Sequence, residues 1–383
     1  MQKTLLMVCL GFVLTSSTCA QDDKDFVPLF NGKNLDGWVN VNTAPSTWSV
    51  QDGLLICSGK PIGEIRTPRM YQNFILELEW RHMVPKGNAG VFIWADDITA
   101  KGQPFHRGIE VQVLENEYGK SDWFTTHGDI FPIHGAKMTP VNGRGGSRAF
   151  PTEERSKPSP EWNHYRIECV DGNISLAVNG KVVTQGTECW PKKGYICLES
   201  EGGVVHYRNL RIKELPATPI DEADVAIANR GYRCLYSGVD LAGWKTDQTA
   251  TKWRSSDWVL SYSGENDQHD AIESTEAFQD YGFIFDVRRK ENSEPAEVFL
   301  RGKSGASIII DPADAKLRDH LAEPGKWNRF EGTISGNQLT LKLNNRVILE
   351  NQKLDSADSS GSFRIEPNGA IDFANIYVRS LAD

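Results

Sequence analysis

Alternating polar and apolar side chains mark the segment 109–115, and they are the strongest sign of chemistry in the chain. If this segment is a β-strand, Glu110 and Gln112 share one face while Val111 and Val113 point to the other. Alternation of this kind indicates a sheet whose polar face is open to a ligand. A carboxylate on such a face can act as a general base or as a nucleophile. The alternative without function is an ordinary solvent-facing sheet surface. The clustering of further polar residues nearby favours a functional site on this face.

Those further residues come from two places. Asn88, Trp94 and His106 lie shortly before the strand, and a long segment rich in aromatic and basic side chains follows it. Long loops on a β-scaffold commonly carry function. We therefore expect residues of the segment 115–158 to complete a site, and those singled out are Tyr118, Trp123, His127, His134, Lys137, Arg144 and Arg148.

A pair of carboxylates would also suit glycoside hydrolysis. Sandwich-fold glycosidases use two acidic residues of a Glu-x-Asp-x-Glu strand, one as nucleophile and one as acid. Glu110 and Glu115 could imitate them only if a β-bulge turned Glu115 onto the face of Glu110. Gln112 stands where that pattern has its central Asp, so ordinary glycosidase chemistry is the alternative interpretation.

An internal repeat defines the elements that must position these residues. FNGKNLDGW (30–38) matches YSGVDLAGW (236–244), and the stretch 160–183 matches 325–348. The order of five matching blocks is the same in both halves. The repeat predicts two copies of one domain, 25–215 and 225–383, with a seam near Pro216 and an insertion at 115–158 in the first copy. We call them copy one and copy two.

Both copies read as all-β. Strand residues alternate, as in the segment 174–178, and turn residues such as Asn179 and Gly180 separate the strands. Helical periodicity is scarce, which favours two tandem jelly-roll β-sandwiches. Copy two has no Glu-x-Gln strand near 306–311, so we expect it to be a wall for the first site or a carbohydrate-binding module.

Five segments of copy one, in order, resemble a known family. They are FVPLFNGKNLDGW, GNAGVFIWA (87–95), IEVQVLEN (109–116), GDIFPIHGA (128–136) and SPEWNHYRIECVDGNISLAVNG (159–180). They are similar to the 3-keto-disaccharide hydrolase-like domain, formerly a domain of unknown function. The resemblance covers nearly all of copy one and, more weakly, copy two. It implies a concanavalin-like sandwich and an exported enzyme that acts on glycosides oxidised at carbon 3.

The resemblance also implies a chemistry for the residues. A ketone at carbon 3 acidifies the hydrogen at carbon 2, and its removal lets the substituent at carbon 1 leave. Glu110 and His134 are candidates for base and acid, in either order, with Gln112 at the ketone oxygen. Some family members resemble metal-dependent lyases, so a divalent ion is expected as cofactor. Its candidate ligands are His106 and His127, with Glu110 and His134 as further possibilities. The expected substrate-binding residues are Asn88, Trp94, Glu115, Tyr118, Trp123 and Lys137.

Composition and the N-terminus narrow the class of protein. The net charge is −9 and no basic stretch stands out, so nucleic acid is not expected as a partner. The predicted partner is an oligosaccharide or glycoside, and a non-catalytic sugar-binding protein is a further alternative. Lys3, an apolar run and Ala20 form a signal-peptide pattern over 1–20. The chain is thus expected to be periplasmic or secreted, with a lipoprotein acylated at Cys19 as the second interpretation, and no transmembrane segment is expected.

Overall fold

A computed structural model of the chain describes residues 25–228, 230–247, 252–264, 270–291, 294–303, 305–354 and 359–381. The predicted signal peptide 1–20, with Cys19, lies outside the described residues. Within them, no helix is long and apolar enough to cross a membrane. The helices described are short 3-10 turns, among them Asn116–Tyr118 and Glu222–Asp224.

Copy one consists of fifteen antiparallel strands in two sheets. The larger sheet has the order β10-β13-β12-β11-β6-β15-β4-β3, with β1 beside β15, and the smaller sheet has the order β2-β5-β14-β7-β8-β9. The strands are β1 Val27–Pro28, β2 Val39–Val41, β3 Trp48–Gln51, β4 Leu54–Cys57, β5 Gly63–Arg66, β6 Phe74–His82, β7 Asn88–Ala95, β8 Gly108–Leu114, β9 Ile130–Ile133, β10 Lys137–Pro140, β11 Asn163–Val170, β12 Asn173–Val178, β13 Lys181–Trp190, β14 Tyr195–Ser200 and β15 Val205–Glu214.

Copy two repeats this arrangement with one strand fewer in each sheet of the part described. Its larger sheet has the order β18-β19-β28-β21-β24-β25-β26, with β16 beside β28, and its smaller sheet has the order β17-β20-β27-β22-β23. The strands are β16 Arg233–Cys234, β17 Trp244–Thr246, β18 Trp253–Ser256, β19 Val259–Tyr262, β20 Ile272–Phe278, β21 Tyr281–Arg289, β22 Ala296–Phe299, β23 Ser307–Ile310, β24 Trp327–Ser335, β25 Gln338–Leu343, β26 Arg346–Lys353, β27 Gly361–Pro367 and β28 Ile371–Ser380.

The predicted fold class is confirmed: the chain is all-β and forms two jelly-roll sandwiches. Each pair of sheets encloses its own apolar core, which is what alternating strands require when one face must be buried. The turn between β12 and β13 has Asn179 at φ 49° and Gly180 at φ 86°, a left-handed pair that closes a two-residue hairpin. The limits 25–215 and 225–383 stay a prediction.

The insertion explains the extra strands of copy one. Strand β9 adds an edge to the smaller sheet by pairing with β8, and β10 adds an edge to the larger sheet by pairing with β13. The predicted long loop 115–158 is thus partly regular structure. Its remaining turns follow the end of β8, the strand that carries Glu110 and Gln112.

Candidate active site

The smaller sheet of copy one has one face in the core and one face that is polar. Strands β5, β14, β7 and β8 lie side by side, and their alternate residues point away from the core. On this open face, Glu199 of β14 pairs across the sheet with Glu64 of β5. Glu110 of β8 lies opposite Phe92 of β7. Three of these four neighbouring strands, β5, β14 and β8, therefore bring acidic residues from distant parts of the chain together.

Gly90 creates the space in which two of these carboxylates meet. A side chain at this position would have its Cβ 2.8 Å from Oε2 of Glu199 and 3.0 Å from Oε1 of Glu110. Its φ angle is not left-handed, so conformational freedom is not the reason for a glycine here. The residue is small because the two carboxylates occupy the volume that a side chain would fill.

A chain of amide contacts runs beside this pair. Nε2 of Gln112 donates to Oδ1 of Asn88 at 2.9 Å, and Nδ2 of Asn88 donates to Glu201. On the other side, Arg148 of the insertion donates to Oε1 of Gln112 at 3.3 Å and to Asp129 at 3.1 Å. The polar face is therefore tied directly to the insertion.

A second cluster lies at the β5 and β14 end of the face. The backbone N–H of His106 donates to Oε2 of Glu64 at 2.9 Å, and its ring Nδ1 contacts the same oxygen. Sγ of Cys197 is 3.7 Å from that ring nitrogen. The three side chains are buried, and their ligand atoms lie within 4.8 Å of one another. Such a set of imidazole, carboxylate and thiol could bind a transition metal.

Burial dominates the electrostatics of the face. It raises the pKa of Glu110 well above the usual range, and the charge of Glu201 raises it further, while Arg148 acts in the opposite direction. The pKa of Glu199 is raised by burial and then by the charge of Glu110. Burial also raises the pKa of Glu201. Carboxylates this close cannot all ionise easily, so at least one retains a proton to higher pH than an isolated glutamate would.

The insertion forms a cleft of about 610 Å³ next to this face. Its wall includes Trp123, whose side chain is 81% exposed, and Phe131, which pairs with Glu110 across the sheet. The guanidinium of Arg148 stacks 3.5 Å from the centre of the Phe131 ring. An exposed aromatic surface beside buried carboxylates and a cation suits a sugar ring, which has apolar faces and a polar edge.

Several predicted residues occupy this one region. Glu110, Gln112 and Asn88 share the open face, as the strand alternation indicated, and His106 lies at its end. Trp123 lines the neighbouring cleft. Their roles stay predictions.

Trp94 is placed differently from the prediction. It is fully buried in the core, where its Nε1 donates to the carbonyl of Gln72 at 2.9 Å. The pairing of β7 with β14 shifts register between Tyr195 and Cys197, and Trp94 adopts a left-handed φ of 54°. This bulge turns a side chain that simple alternation would place beside Phe92 into the core. The prediction that Trp94 binds substrate is wrong.

Glu115 is also misassigned. It is 2% exposed and accepts backbone N–H bonds from Lys86, Glu117 and Ser159 at 2.8, 2.8 and 3.0 Å. Burial acts to raise its pKa, but these three bonds lower it below the ordinary value. Its oxygens stabilise the turns around the end of β8, so the expectation that Glu115 contacts substrate is wrong.

The predicted metal pair is not brought together. Nδ1 of His127 contacts Oγ of Ser156 at 2.6 Å and its Nε2 lies 3.5 Å from Glu154, whereas His106 contacts Glu64 and Cys197. His127 belongs to no potential metal cluster among the described residues. The contacts described therefore give no support to His127 as a ligand beside His106, and that role stays a prediction.

The remaining candidates lie at the rim. His134 follows β9 in a left-handed turn with φ 52°, and desolvation followed by the nearby His106 lowers its pKa to about 4. Tyr118 packs edge-on against Phe124 at 5.8 Å. Lys137 is exposed, with Nζ 5.6 Å from the ring centre of Trp190. No described contact joins His134 to Glu110, so the pairing of these two residues as acid and base stays a prediction.

Several members of the cluster were not predicted from the sequence. Glu199 in β14 and Glu201 just after it alternate with Leu198 and Ser200, which is the same period-two signal that identified Glu110 and Gln112. Arg148 was noted in the insertion without a role. Glu64 lies in a short strand with one charged neighbour, so pattern alone does not distinguish it from a surface residue.

Copy two shows which parts of this face are dispensable for the fold. In copy one, a row of residues across β14, β7 and β8 consists of Cys197, Phe92 and Glu110, and the next row consists of Glu199, Gly90 and Gln112. In copy two, the first of the equivalent rows across β27, β22 and β23 consists of Arg364, Phe299 and Ser307. The second consists of Glu366, Glu297 and Ile309. In copy two, the guanidinium of Arg364 pairs with acidic residues on this face, at 2.7 Å from Asp247 and 3.3 Å from Glu366. Copy two thus has an internal cation where copy one has Cys197.

Comparison with known proteins agrees with the repeat. Residues 25–213 and 231–379 both match the model of the 3-keto-alpha-glucoside-1,2-lyase-like domain. A solved structure of a candidate glycosyl hydrolase from Parabacteroides distasonis ATCC 8503 is 23% identical, covers 53% of this chain and 99% of its own, and has a TM-score of 0.39.

Two further solved structures are similar in part. A second candidate glycosyl hydrolase from the same organism is 25% identical over 50% of this chain and 84% of its own, with a TM-score of 0.36. The carbohydrate-binding module CBM66 from Bacillus subtilis is 13% identical over 47% of this chain and 98% of its own, with a TM-score of 0.35. No curated protein sequence matches the chain significantly.

Proposed function

Because the chain belongs to the family of 3-keto-alpha-glucoside-1,2-lyase-like domains, we propose that copy one cleaves the glycosidic bond of 3-keto-glycosides by elimination. The observation that carries the proposal is the pair Glu110 and Glu199, buried over Gly90 beside a cleft with an exposed aromatic wall. The exported, periplasmic or secreted location that the N-terminus predicts is part of the same proposal.

Glu110 is the base in this proposal. Burial and the charge of Glu201 raise its pKa, which makes its ionised form a stronger base than an ordinary glutamate. It takes the hydrogen from carbon 2, and the resulting enolate expels the oxygen substituent at carbon 1. Glu199, whose pKa is also raised, is the group best placed to hold a proton for the leaving oxygen. His134 is exposed at the rim and no described contact joins it to Glu110, so it is a weaker candidate for this proton donor.

The enolate oxygen needs a positive or hydrogen-bonding partner. Arg148 is the cation nearest to Gln112 in the contacts described, and its guanidinium is held in place by Gln112 and Asp129. Gln112 itself is oriented through Asn88. Groups fixed in this way stabilise developing charge without having to reorganise during the reaction.

The same face suits a divalent ion. Oε1 of Glu64, Nε2 of His106 and Oε2 of Glu199 are buried without a hydrogen-bond partner, which is unfavourable unless something else contacts them. Glu64 and His106, with Cys197 as a further donor, are the residues that would hold the ion. When bound, a divalent ion would supply Lewis-acid stabilisation of an oxygen anion.

The cleft supplies the binding surface. Trp123 offers a face for a sugar ring, while Arg148 and Arg144 offer hydrogen-bond donors to hydroxyl groups. We propose that one of the two sugar rings of the substrate, either the leaving sugar or the 3-keto sugar, stacks on Trp123 while carbon 2 approaches Glu110.

Conventional glycoside hydrolysis is a second candidate, favoured by one observation. Both carboxylate oxygens contact the position of a residue-90 side chain, so they are at most about 6 Å apart, a limit that accommodates the roughly 5 Å typical of retaining glycosidases and excludes the longer separation of most inverting ones. In this alternative Glu199, rather than Glu115, is the second carboxylate.

Paired substrates separate the candidates. The purified protein would be given the same disaccharide in its unmodified and its 3-keto form, with products followed by chromatography. We expect turnover of the 3-keto form alone, and loss of it in Glu110→Gln, with release of deuterium from carbon 2 of a labelled substrate. Comparable cleavage of the unmodified disaccharide would instead favour the hydrolase, and turnover of neither would exclude both.

A further inference from the structure

A short hairpin of copy one connects the candidate site to copy two. The 99–106 hairpin is closed by pairing of Thr99 with His106 and by a hydrogen bond from the N–H of Ala100 to the carbonyl of Phe105 at 2.9 Å. One end of this hairpin is His106, which contacts Glu64 on the open face. Its tip, at Gly102, points away from that face towards copy two.

The larger sheet of copy two holds the tip by its backbone. The N–H of Gly102 donates to Oδ2 of Asp286 at 2.7 Å, and Nε1 of Trp258 donates to the carbonyl of Gly102 at 3.2 Å. Nδ2 of Asn375 donates to the carbonyls of Ala100 and of residue 103, both at 3.1 Å. These bonds pair backbone groups at the turn of the hairpin with side chains of copy two.

Thr99, the partner of His106 in the hairpin, is held most closely. Its carbonyl accepts a hydrogen bond from Arg329 at 3.1 Å. Its hydroxyl contacts both Oδ1 of Asn375 and the hydroxyl of Tyr377 at 2.8 Å. The residue that pairs directly with His106 is therefore fixed by three side chains of copy two.

The receiving surface is itself rigid and fits a glycine. Asp286 is fully buried and forms a 2.7 Å ion pair with Arg329. Gly102 has a φ of 67°, and a Cβ there would lie 2.2 Å from Cδ1 of Trp327. A buried polar network with all its members paired has one well-defined arrangement, and it transmits that arrangement to whatever it binds.

We propose that copy two is a positioning domain, which grips the tip of the 99–106 hairpin and thereby fixes His106 against Glu64 in the site of copy one. Asn375 is its central positioning residue. The importance of His106 to catalysis rests on the function proposed above, whereas the positioning itself does not. Copy two has the internal cation Arg364 among the acidic residues of its equivalent face, and it contacts copy one through the outer face of its other sheet.

Copy one offers a matched control for Asn375. Asn209 follows Arg208, which pairs with Glu79, just as Asn375 follows Ala374, which pairs with Asp286. Both asparagines have a left-handed backbone, with φ 52° and 51°. Asn375→Gly and Asn209→Gly therefore remove the same side chain from the same kind of bulge, and glycine tolerates the conformation in both.

The test reads the state of His106 directly. Ring signals of ¹⁵N-histidine-labelled full-length protein would be recorded, with His106 assigned by its loss in His106→Asn. We expect Asn375→Gly to shift or broaden the His106 signal and leave those of His164 and His206 unchanged. On a 3-keto disaccharide kcat should fall about 10- to 100-fold, the cost of a small misplacement, with KM little changed. Asn209→Gly should change neither the His106 signal nor kcat.

Gly102→Ala approaches the contact from copy one, with Gly53→Ala as its control, because Gly53 has a φ of 75° and nothing within 4 Å of a Cβ. An unchanged His106 signal in both Asn375→Gly and Gly102→Ala would overturn the proposal, and so would an equal change in the two controls. If wild type does not cleave the disaccharide, the proposed reaction fails, while the histidine signals still decide whether copy two positions His106.

Discussion

Glu110 and Glu199 direct their carboxylates into the same space, the volume left by the missing side chain of Gly90. They come from strands β8 and β14, with β7 between them. Their shared burial raises the pKa of both residues, so the folded protein is destabilised when either carboxylate is charged. The same raised pKa values suit both residues to proton transfer.

Gly90→Ala should remove activity and leave the fold intact. The added methyl group would lie about 3 Å from both carboxylates, so at least one must move. Copy two accommodates Glu297 at the matching position, which indicates that the sheet tolerates a side chain there. We expect kcat to fall about 100-fold with an unchanged circular dichroism spectrum. Wild-type activity in this variant would contradict the assignment of the site.

Glu110→Gln should abolish cleavage while making the protein more stable at alkaline pH. The folded-state pKa of Glu110 is raised, so folding favours the protonated form and the wild type loses stability as pH rises from the ordinary glutamate value through the raised one. Glutamine stays neutral throughout. Measured with a chelator present, its melting temperature should exceed that of wild type by about 1 °C for each kcal/mol gained at pH 8, and should match wild type near pH 4.

Exposed Glu168 on the larger sheet provides the control for this measurement. Glu168→Gln should leave activity and the pH dependence of melting unchanged. A lower melting temperature for Glu110→Gln at pH 8 would show that the charged form of Glu110 is stabilised in the folded protein, contrary to its assigned pKa.

Chelation should abolish activity, and a divalent ion should restore it, if Glu64 and His106 hold a metal. Cys197→Arg provides a second way to test this. The matching residue of copy two is Arg364, whose guanidinium already pairs with acidic neighbours, so arginine should place a fixed cation on the face of copy one. The variant should fold and bind no divalent ion by calorimetry. Undiminished turnover by metal-free wild-type protein would remove the ion from the proposal.

Trp123→Ala should weaken substrate binding. Its side chain is 81% exposed at the cleft, and loss of a stacking surface should raise KM about 10-fold with a small effect on kcat. Tyr118→Ala is the comparison, because Tyr118 is another exposed aromatic of the insertion but packs against Phe124. An unchanged KM in Trp123→Ala would mean that the cleft does not bind the sugar.

The sequence predicted the face of the site better than its full membership. Alternation along β8 was enough to place Glu110 and Gln112 together, because a strand of period two leaves no other choice. It could not reveal that β14 lies two strands away and brings Glu199 to the same point. Strand order depends on how the whole chain crosses between sheets, and that information is not local.

Trp94 shows where local rules fail. The alternation Asn88, Gly90, Phe92 predicts Trp94 on the open face, but one bulge turns the side chain of Trp94 to the core face of the strand. The His-rich character of the insertion is ambiguous in a similar way. His127 is fixed by Ser156 within the insertion itself, and a composition argument cannot distinguish such a residue from a metal ligand.

The hydrogen bonds between the hairpin tip and the sheet of copy two also bear on how the chain unfolds. Arg329 keeps its bond to the carbonyl of Thr99, and Asn375 its bonds to the hairpin carbonyls, only while both sandwiches are folded. Separating the two copies would leave buried polar groups of both without these hydrogen bonds, so neither copy is expected to unfold before the other. The duplicated chain should therefore unfold as one cooperative unit, in a single calorimetric transition whose van't Hoff and measured enthalpies agree.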